Sequence, residues 1–483
     1  MRVRAHRFLL PSLASLLSLT LAFACGTQEV SIPDVARPDA NTGQDSATDA
    51  ARPDTSIADT GPDAPDVICP EVLPDDATGV YVGPAGTNDV SCGTRAAPCK
   101  AVNVGITHAI AASKAKVYVL RGTYTERITL AAGIEVIGGW DVPSGSTKWR
   151  RSCVTPEEIV VLRAPAAQNV TVEARDIAGE ATLSLVRIES KGAAQVTAGE
   201  SLYGVVATGG GTALVMNSVH VEVGAAGAGT SPPKAATGAI GALSCVAGPG
   251  GPGTPGTAGT GAPLGGFDTT GYVPATSTPG NLGTAGNNGL PGGAGACITC
   301  GKCDTFLAGC TFLPDPVQTC GKDGQPGCGG GPGDVGVAAT GGGSSIGVYA
   351  WDATVTINGG KVKSGDAGNG GTGGAGGNGG APTGPAVGAA SDTCTTACAL
   401  GALACVETKT KAAGGVAGTA GGPGGAGGTG GGGGGGSSFA LYSGGVGVVS
   451  TASGPSLAHG KAGAGGGTGG AAGAAGAAAD HVP

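Results

Sequence analysis

Residues 117–137 read VYVLRGTYTERITLAAGIEVI, and this stretch decides the fold of the chain. It contains three short apolar segments, which are predicted strands at residues 117–120, 127–130 and 134–137. The intervening segments, 121–124 and 131–133, are too short for crossover helices but suit the corners of a solenoid. The sequence therefore predicts an all-β fold in which short strands stack coil upon coil.

The region before these strands has the pattern of a folded module. Residues 80–82 (Val-Tyr-Val) predict a strand, and Cys92 and Cys99 are spaced for a local disulfide bridge. After Pro98, residues 100–113 predict a helix. The apolar face expected for this helix consists of Val102, Ile106, Ala109 and Ile110.

Several motifs between residues 79 and 141 occur in a characteristic order. They are Ser91-Cys92-Gly93, Ala97-Pro98-Cys99-Lys100, Gly-Thr-Tyr-x-Glu at 122–126 and Ile-x-Val-Ile-Gly-Gly-Trp-Asp at 134–141. This order resembles the opening of the pectin-lyase-like right-handed parallel β-helix superfamily. More narrowly, it resembles the uncharacterised surface lipoproteins of that type found in myxobacteria and related bacteria, here with glycine-rich, PGRS-like inserts. The resemblance is looser up to residue 225, and it implies a helix that caps the N-terminal end of the β-helix.

The wider superfamily includes polysaccharide lyases and pectin methylesterases. Their sites use clustered Asp with Arg or Lys, or paired Asp with Gln and Arg, and no such cluster is evident in this sequence. His108, His220, His459 and His481 lie in unrelated contexts, without a hydrolase or metalloprotease motif. We therefore expect no catalysis, no cofactor and no metal.

Later coils repeat the pattern of short strands. Sets of β-rich segments begin at Ser201, Ser345 and Ser438, so successive sets are 144 and 93 residues apart. The coils therefore repeat while the inserts between them vary in length. The aromatic residues available along these repeats are Tyr203, Tyr349, Trp351 and Tyr442. We expect Tyr349 and Trp351 to be stacked core residues rather than a sugar-binding platform.

Glycine accounts for 100 of the 483 residues, and in the inserts it recurs at every third position. The tracts lie at 280–295, 321–336, 365–380 and 415–436. Three residues per turn is the polyproline-II repeat. Collagen requires long Pro-rich triplets, so bundles of polyproline-II helices within one chain are favoured, held by close backbone approach and weak Cα–H···O contacts. Flexible glycine linkers are the alternative.

Fifteen cysteines indicate disulfides in an exported chain, because removing Cys25 for lipidation leaves an even number. The disulfide candidates are Cys69, Cys92, Cys99 and Cys153; Cys245, Cys297, Cys300, Cys303, Cys310, Cys320 and Cys328; and Cys394, Cys398 and Cys405. Groups of seven and three cannot each close internally, so at least one bridge must cross between groups. The run from Cys297 to Cys303 also has metal-ligand spacing, but no histidine lies near it. We expect antiparallel polyproline-II arms with stapled tips.

The N-terminus predicts export. Three arginines precede an apolar segment that ends at Cys25, and Leu-Ala-Phe-Ala-Cys-Gly at 21–26 resembles the lipobox of bacterial lipoproteins. The alternative is a plain secretory signal cleaved after Ala22-Phe23-Ala24. Residues 26–78 carry twelve acidic and two basic side chains, which predicts a disordered tether. The rest of the chain is nearly neutral and has no basic stripe, so nucleic-acid binding is not expected.

These patterns predict eight regions. They are the signal peptide (1–24), the lipidated Cys25 with its tether (25–78), the capped β-helix (79–225), an insert (226–344), a coil (345–364), a second insert (365–436), a further coil (437–460) and a Gly/Ala-rich tail (461–483). The expected function is that of a surface lipoprotein with a structural or adhesive role, anchored in the outer membrane of a Gram-negative bacterium. Its expected partners are the membrane and a surface polysaccharide or protein. The alternative is a carbohydrate-binding or polysaccharide-cleaving β-helix.

Overall fold

The computed structural model describes residues 72–306, 309–401, 404–467 and 471–483. The signal peptide, Cys25, Cys69 and most of the tether lie outside the described residues. The described part is an all-β fold with little helix. Its α-helix, α1, is Val102–Ala111, and a 3-10 turn covers Ala193–Gln195.

The strands fall into three groups along the chain. The first group is β1 Gly79–Thr87, β2 Lys116–Leu120, β3 Gly122–Thr125, β4 Ile128–Thr129, β5 Glu135–Asp141, β6 Arg150–Arg151, β7 Val160–Arg163, β8 Val170–Arg175, β9 Gly179–Ser184, β10 Arg187–Glu189, β11 Leu202–Thr208 and β12 Thr212–Glu222. The second group is β13 Gly266–Asp268, β14 Gly271–Val273, β15 Cys297–Phe306 and β16 Gly309–Cys320. The third group is β17 Ser345–Trp351, β18 Thr354–Lys363, β19 Cys394–Leu400, β20 Cys405–Thr410, β21 Ser438–Gly444, β22 Val448–Ser450, β23 Ser456–Ala458 and β24 Ala478–Val482.

Parallel pairing between successive coils builds two large sheets. One sheet contains the order β1-β2-β5-β9-β12-β10-β7-β3, with β18 added to β12, and the other runs β24-β21-β17-β11-β8-β4. Inward side chains such as Val205, Val348 and Leu441 share a register and are fully buried between the sheets. This stacked apolar core is the dominant stabilising term for this part of the molecule.

The register of the later coils corrects the spacing predicted from sequence. Leu202, not Ser201, pairs with Ser345, so the first offset is one residue shorter than the prediction, whereas Ser345 does pair with Ser438. The observed register places Gly204 beside Gly347, and a Cβ on Gly204 would lie 2.7 Å from the Gly347 carbonyl oxygen. A one-residue slip would also turn the buried valines outward.

Helix α1 packs over the first strands as the capping pattern predicts, with one correction. Val102, Ile106 and Ala109 are buried, but Ile110 is 55% exposed and Gly105 takes its place against the strands. A Cβ on Gly105 would lie 2.4 Å from Val82 Cγ2, so the close approach requires glycine. The apolar face of the helix is therefore rotated relative to the predicted one.

The glycine-rich inserts form an ordered bundle held by backbone hydrogen bonds. The bundled segments are 226–243, 248–262, 278–295, 321–343, 365–389, 412–436, 460–467 and 471–477. Glycine N–H groups donate to carbonyl oxygens of neighbouring segments at every third residue, as in Gly424–Gly380, Gly427–Gly377, Gly430–Gly374 and Gly433–Gly371, at 2.8 to 2.9 Å. The sequence predicted weak Cα–H···O contacts, and the observed bonds are the stronger N–H···O type.

Hairpin β13–β14 attaches the bundle to the outer face of the second sheet. Tyr272 N donates to Tyr203 Oη at 2.7 Å, and Tyr272 Oη donates to Gly435 O at 3.2 Å. The Phe267 ring lies 4.3 Å from the Tyr442 ring, which in turn stacks on the fully buried Tyr349. The aromatic residues of this face are therefore packing residues, as predicted for Tyr349; Trp351 is half-buried beside them.

Candidate functional site

Two antiparallel hairpins stand at the end of the glycine bundle that lies away from the stacked strands. Hydrogen-bonded rungs run from Gly343 and Gly436, beside β17 and β21, to Gly321 and Ala413, beside the hairpins. We call the hairpins β15–β16 and β19–β20 together the tip.

Disulfides join the two hairpins of the tip. Three bridges cross between them, Cys300–Cys394, Cys303–Cys398 and Cys310–Cys405, while Cys297–Cys320 closes the base of β15–β16. The bridges expected to cross between cysteine groups are thus present. All three cysteines of the third group bond to the other hairpin, so no bridge closes within that group. Spacing along the chain cannot reveal this pairing, since it depends on how the inserts lie side by side.

The remaining cysteines are also disulfide-bonded where the structure describes them. Cys92 bonds to Cys99, as predicted, and Cys245 bonds to Cys328 within the bundle. Cys153 is disulfide-bonded as well. His108 Nε2 lies 3.9 Å from Cys92 Sγ, but the Cys92–Cys99 bridge leaves no thiolate there to ligate a metal.

The tip exposes four aliphatic side chains. Leu313, Val317, Leu400 and Val406 are each about half exposed or more, with Val317 at 73%. Exposed aliphatic side chains on a cross-linked and therefore preorganised element are typical of contact surfaces. The tip is the first candidate site.

An ionic cluster on the outer face of the larger sheet is the second candidate. Arg187 on β10 donates to Glu158 at 2.9 Å and to Glu222 at 2.7 Å, and its Nε lies 3.0 Å from Glu189. His220 on β12 contacts the same Glu158 through Nδ1. These side chains point outward because their neighbours Ile188 and Val221 are buried in the core.

The cluster favours the ionised form of the Glu158 carboxyl group. Partial burial raises the pKa of Glu158, but hydrogen bonds from His220 and Arg187 outweigh that effect and hold it below its usual value of 4.5. Burial lowers the pKa of Arg187, but Glu158, Glu189 and Glu222 outweigh that effect and raise it above its usual value. A cavity of about 130 Å³ lies between Glu158, Arg187, His220 and Lys361. The cluster therefore consists of paired opposite charges, and the side chains of Lys361 and His220 line the cavity beside it.

A search of the sequence for the Asp clusters of the wider superfamily does not identify this cluster, which is built from Glu, Arg and His. Glu158, Arg187 and Glu222 are separated by 29 and 35 residues, and the stacking of coils brings them together. The signal in the sequence is that the polar residues Arg187 and His220 alternate with apolar residues in their strands. A second such array, Glu135, Ser184, Asn217 and Asn358, forms a hydrogen-bonded ladder across four coils.

Three further observations bear on identity and location. The disulfides are of the kind that persist in an oxidising compartment. Within the part of the chain that the structure describes, no helix is long and apolar enough to cross a membrane. Comparisons with protein-family models, curated proteins and solved structures find no match to this chain.

Proposed function

We propose that this chain is a non-catalytic surface lipoprotein of structural or adhesive character. In this proposal the stacked strands form a right-handed parallel β-helix of the myxobacterial pectin-lyase-like type, and Cys25 carries the lipid. The polyproline-II bundle is a stiff arm that holds the tip away from the body. The partner that the tip contacts is a surface polysaccharide or protein.

The observation that carries this proposal is the tip with its three crossing disulfides. Cross-linking a small element at the end of a hydrogen-bonded arm lowers the entropy that a contact must otherwise overcome. The residues of the ionic cluster are instead joined by ion pairs. The design therefore favours presentation of a rigid surface over turnover of a substrate.

Adhesion tests the role of the tip. Cells displaying the full chain are compared with cells displaying the variant Leu313→Ser/Val317→Ser/Leu400→Ser/Val406→Ser, in binding to abiotic surfaces and to cells lacking the protein. We expect the variant to lose most of the adhesion while remaining at the surface in equal amount. A matched variant, Val387→Ser/Val446→Ser, changes equally exposed residues elsewhere and is expected to bind normally. Equal adhesion of all three proteins would exclude the tip.

Metabolic labelling tests the anchor separately. A labelled fatty acid should be incorporated into the wild-type chain and not into Cys25→Ala, and the latter should be released as a soluble protein. Labelling of both chains, or of neither, would contradict lipidation at Cys25 and leave the plain secretory signal.

Carbohydrate binding is the second candidate function, favoured by the ionic cluster. The cluster places His220, Lys361 and two carboxylates beside one cavity on an outward sheet face. Binding of acidic and neutral polysaccharides, measured for wild type and for His220→Ala/Lys361→Ala, tests this function. Binding that is lost in the variant would support it, and release of unsaturated or reducing ends would extend it to cleavage.

A further inference from the structure

A patch on the first coils combines uncompensated positive charge with exposed apolar side chains. Its cationic residues are Lys148, Arg150 and Arg151, and its apolar residues are Val72, Leu73 and Val154. The three apolar side chains are 44%, 50% and 71% exposed. We call these six residues the basal face.

The positive charges of the basal face lack acidic partners among the described residues. Asp141, opposite Arg150 in the β5–β6 pair, forms its ion pair with Arg121 at 2.8 Å, and Asp76 pairs with Arg95. Glu135 on β5 interacts electrostatically with Arg151 but forms no ion pair with it. The Asp75 side chain accepts hydrogen bonds from Ala77 N and Thr78 Oγ1. Lys148, Arg150 and Arg151 thus give a local excess of positive charge on a body that is otherwise nearly neutral.

Arg151 is the least exposed of the three cationic residues of the basal face. Its guanidinium lies 4.5 Å above the Trp140 ring, and its Nε and the Trp140 Nε1 are buried without a hydrogen-bond partner. A half-buried guanidinium held on an aromatic ring is a rigid cation, since little side-chain freedom remains to be lost when an anion binds. Lys148 and Arg150 are exposed beside it.

The basal face lies where the described chain begins. Arg151 N donates to Val72 O at 3.3 Å, so strand β6 is bound to the first described residue. From Val72 the chain continues back toward Cys25. If Cys25 is lipidated, as proposed above, this is the face of the body closest along the chain to the bilayer.

We infer that the basal face docks on the anionic headgroups of the membrane that holds the lipid anchor. Basic residues near such a surface each strengthen partitioning by about fivefold, and exposed aliphatic side chains add interfacial contact. The contact is a second, salt-sensitive attachment that orients the body, with the first provided by the acyl chains. This inference rests on the proposed anchoring, and it names the surface that the body faces.

Vesicle binding of the full chain from residue 25, carrying Cys25→Ser so that no lipid contributes, tests the inference. Phosphatidylcholine vesicles that contain phosphatidylglycerol should bind the protein, pure phosphatidylcholine should not, and added salt should release it. Lys148→Glu/Arg150→Glu should bind at least about tenfold more weakly. Lys302→Glu/Lys411→Glu, an equal charge change at the tip, should bind as wild type does.

Three outcomes would overturn the inference. They are equal binding of the two charge variants, absence of any preference for phosphatidylglycerol, and binding of soluble polygalacturonate in place of vesicles, which would assign the face to a polysaccharide. Unchanged circular dichroism of both variants excludes misfolding as the cause of lost binding. Because the assay uses an unlipidated chain, its failure leaves lipidation at Cys25, tested by labelling, unaffected.

Discussion

Single side chains and single glycines carry much of the specificity of this molecule. The ionic cluster depends on one arginine, Arg187, which pairs with Glu189 on its own strand and with Glu158 and Glu222 on other segments. The bundle depends on glycines whose missing Cβ lets backbone approach backbone. Both features lead to predictions that concern one residue each.

Glu158 should make stability depend on pH in the acid range. Its pKa is lowered in the folded state, so its stabilising contribution is complete above its usual value of 4.5 and is lost as pH falls through the lower folded value. We expect the melting temperature of wild type to fall more steeply between about pH 5 and pH 3 than that of Glu158→Gln. Glu180→Gln, at an exposed position on β9, should follow wild type. Parallel curves for all three proteins would contradict the prediction.

Gly427 should not tolerate a side chain. A Cβ there would lie 1.9 Å from the Asp334 carbonyl oxygen, and Gly427 N donates to Gly377 O at 2.9 Å. Gly427→Ala is expected to destabilise the bundle by about 3 kcal/mol or more, seen as lost amide-exchange protection across 365–436. Gly384→Ala meets no atom within 4 Å and should leave protection intact. Similar protection in both variants would mean that the segments are not packed as described.

At the scale of single elements, the disulfides of the tip restrict overlapping parts of the chain. Cys300–Cys394 and Cys303–Cys398 are only a few residues apart, so each restricts a segment that the other already holds. Removing one bridge therefore frees little chain, whereas removing all three frees both hairpins.

The bridges of the tip should be strongly non-additive. Cys300→Ser/Cys394→Ser should lower the melting temperature only slightly, and the variant that replaces all six cysteines of the three crossing bridges should lose about 2–5 kcal/mol and become sensitive to protease in both hairpins. Differential scanning calorimetry and proteolysis under non-reducing conditions measure the two effects. Single-bridge losses that add up to the loss of the variant lacking all three would show that the bridges act independently.

The whole molecule contains two kinds of structure with different sources of stability. The stacked strands bury a continuous apolar core, whereas the bundle is held by backbone hydrogen bonds and disulfides and buries few large side chains. The hydrophobic effect dominates the first, and cross-linking offsets the large conformational entropy of glycine in the second.

A reductant should therefore lower the stability of the bundle without lowering that of the stacked strands. We expect reduction to lower the unfolding temperature of the bundle while the strands melt close to their original temperature. Circular dichroism, followed at the polyproline-II and β signals during heating, measures both transitions. The bundle transition should also have a small heat-capacity change, because little apolar surface is exposed. A single transition that shifts as a whole on reduction would contradict this division.

Local pattern was sufficient to predict much of the architecture. Short apolar segments with tight corners predicted the strands, the i, i+4 spacing of Val102 and Ile106 predicted the helix, and the three-residue period of glycine predicted the repeat of the bundle. Each of these signals is a periodicity within one segment, and backbone geometry converts such a period directly into a conformation.

The pairings between distant segments emerged only from the assembled fold. The one-residue shift between Ser201 and Leu202, the disulfides from the third cysteine group to the other hairpin, and the meeting of Glu158 with Arg187 all join segments that are not adjacent in sequence. The energies of these pairings depend on side-chain packing, on close backbone contacts at glycine and on ion pairs between coils. No period along the chain encodes those distances, because the inserts between the coils differ in length.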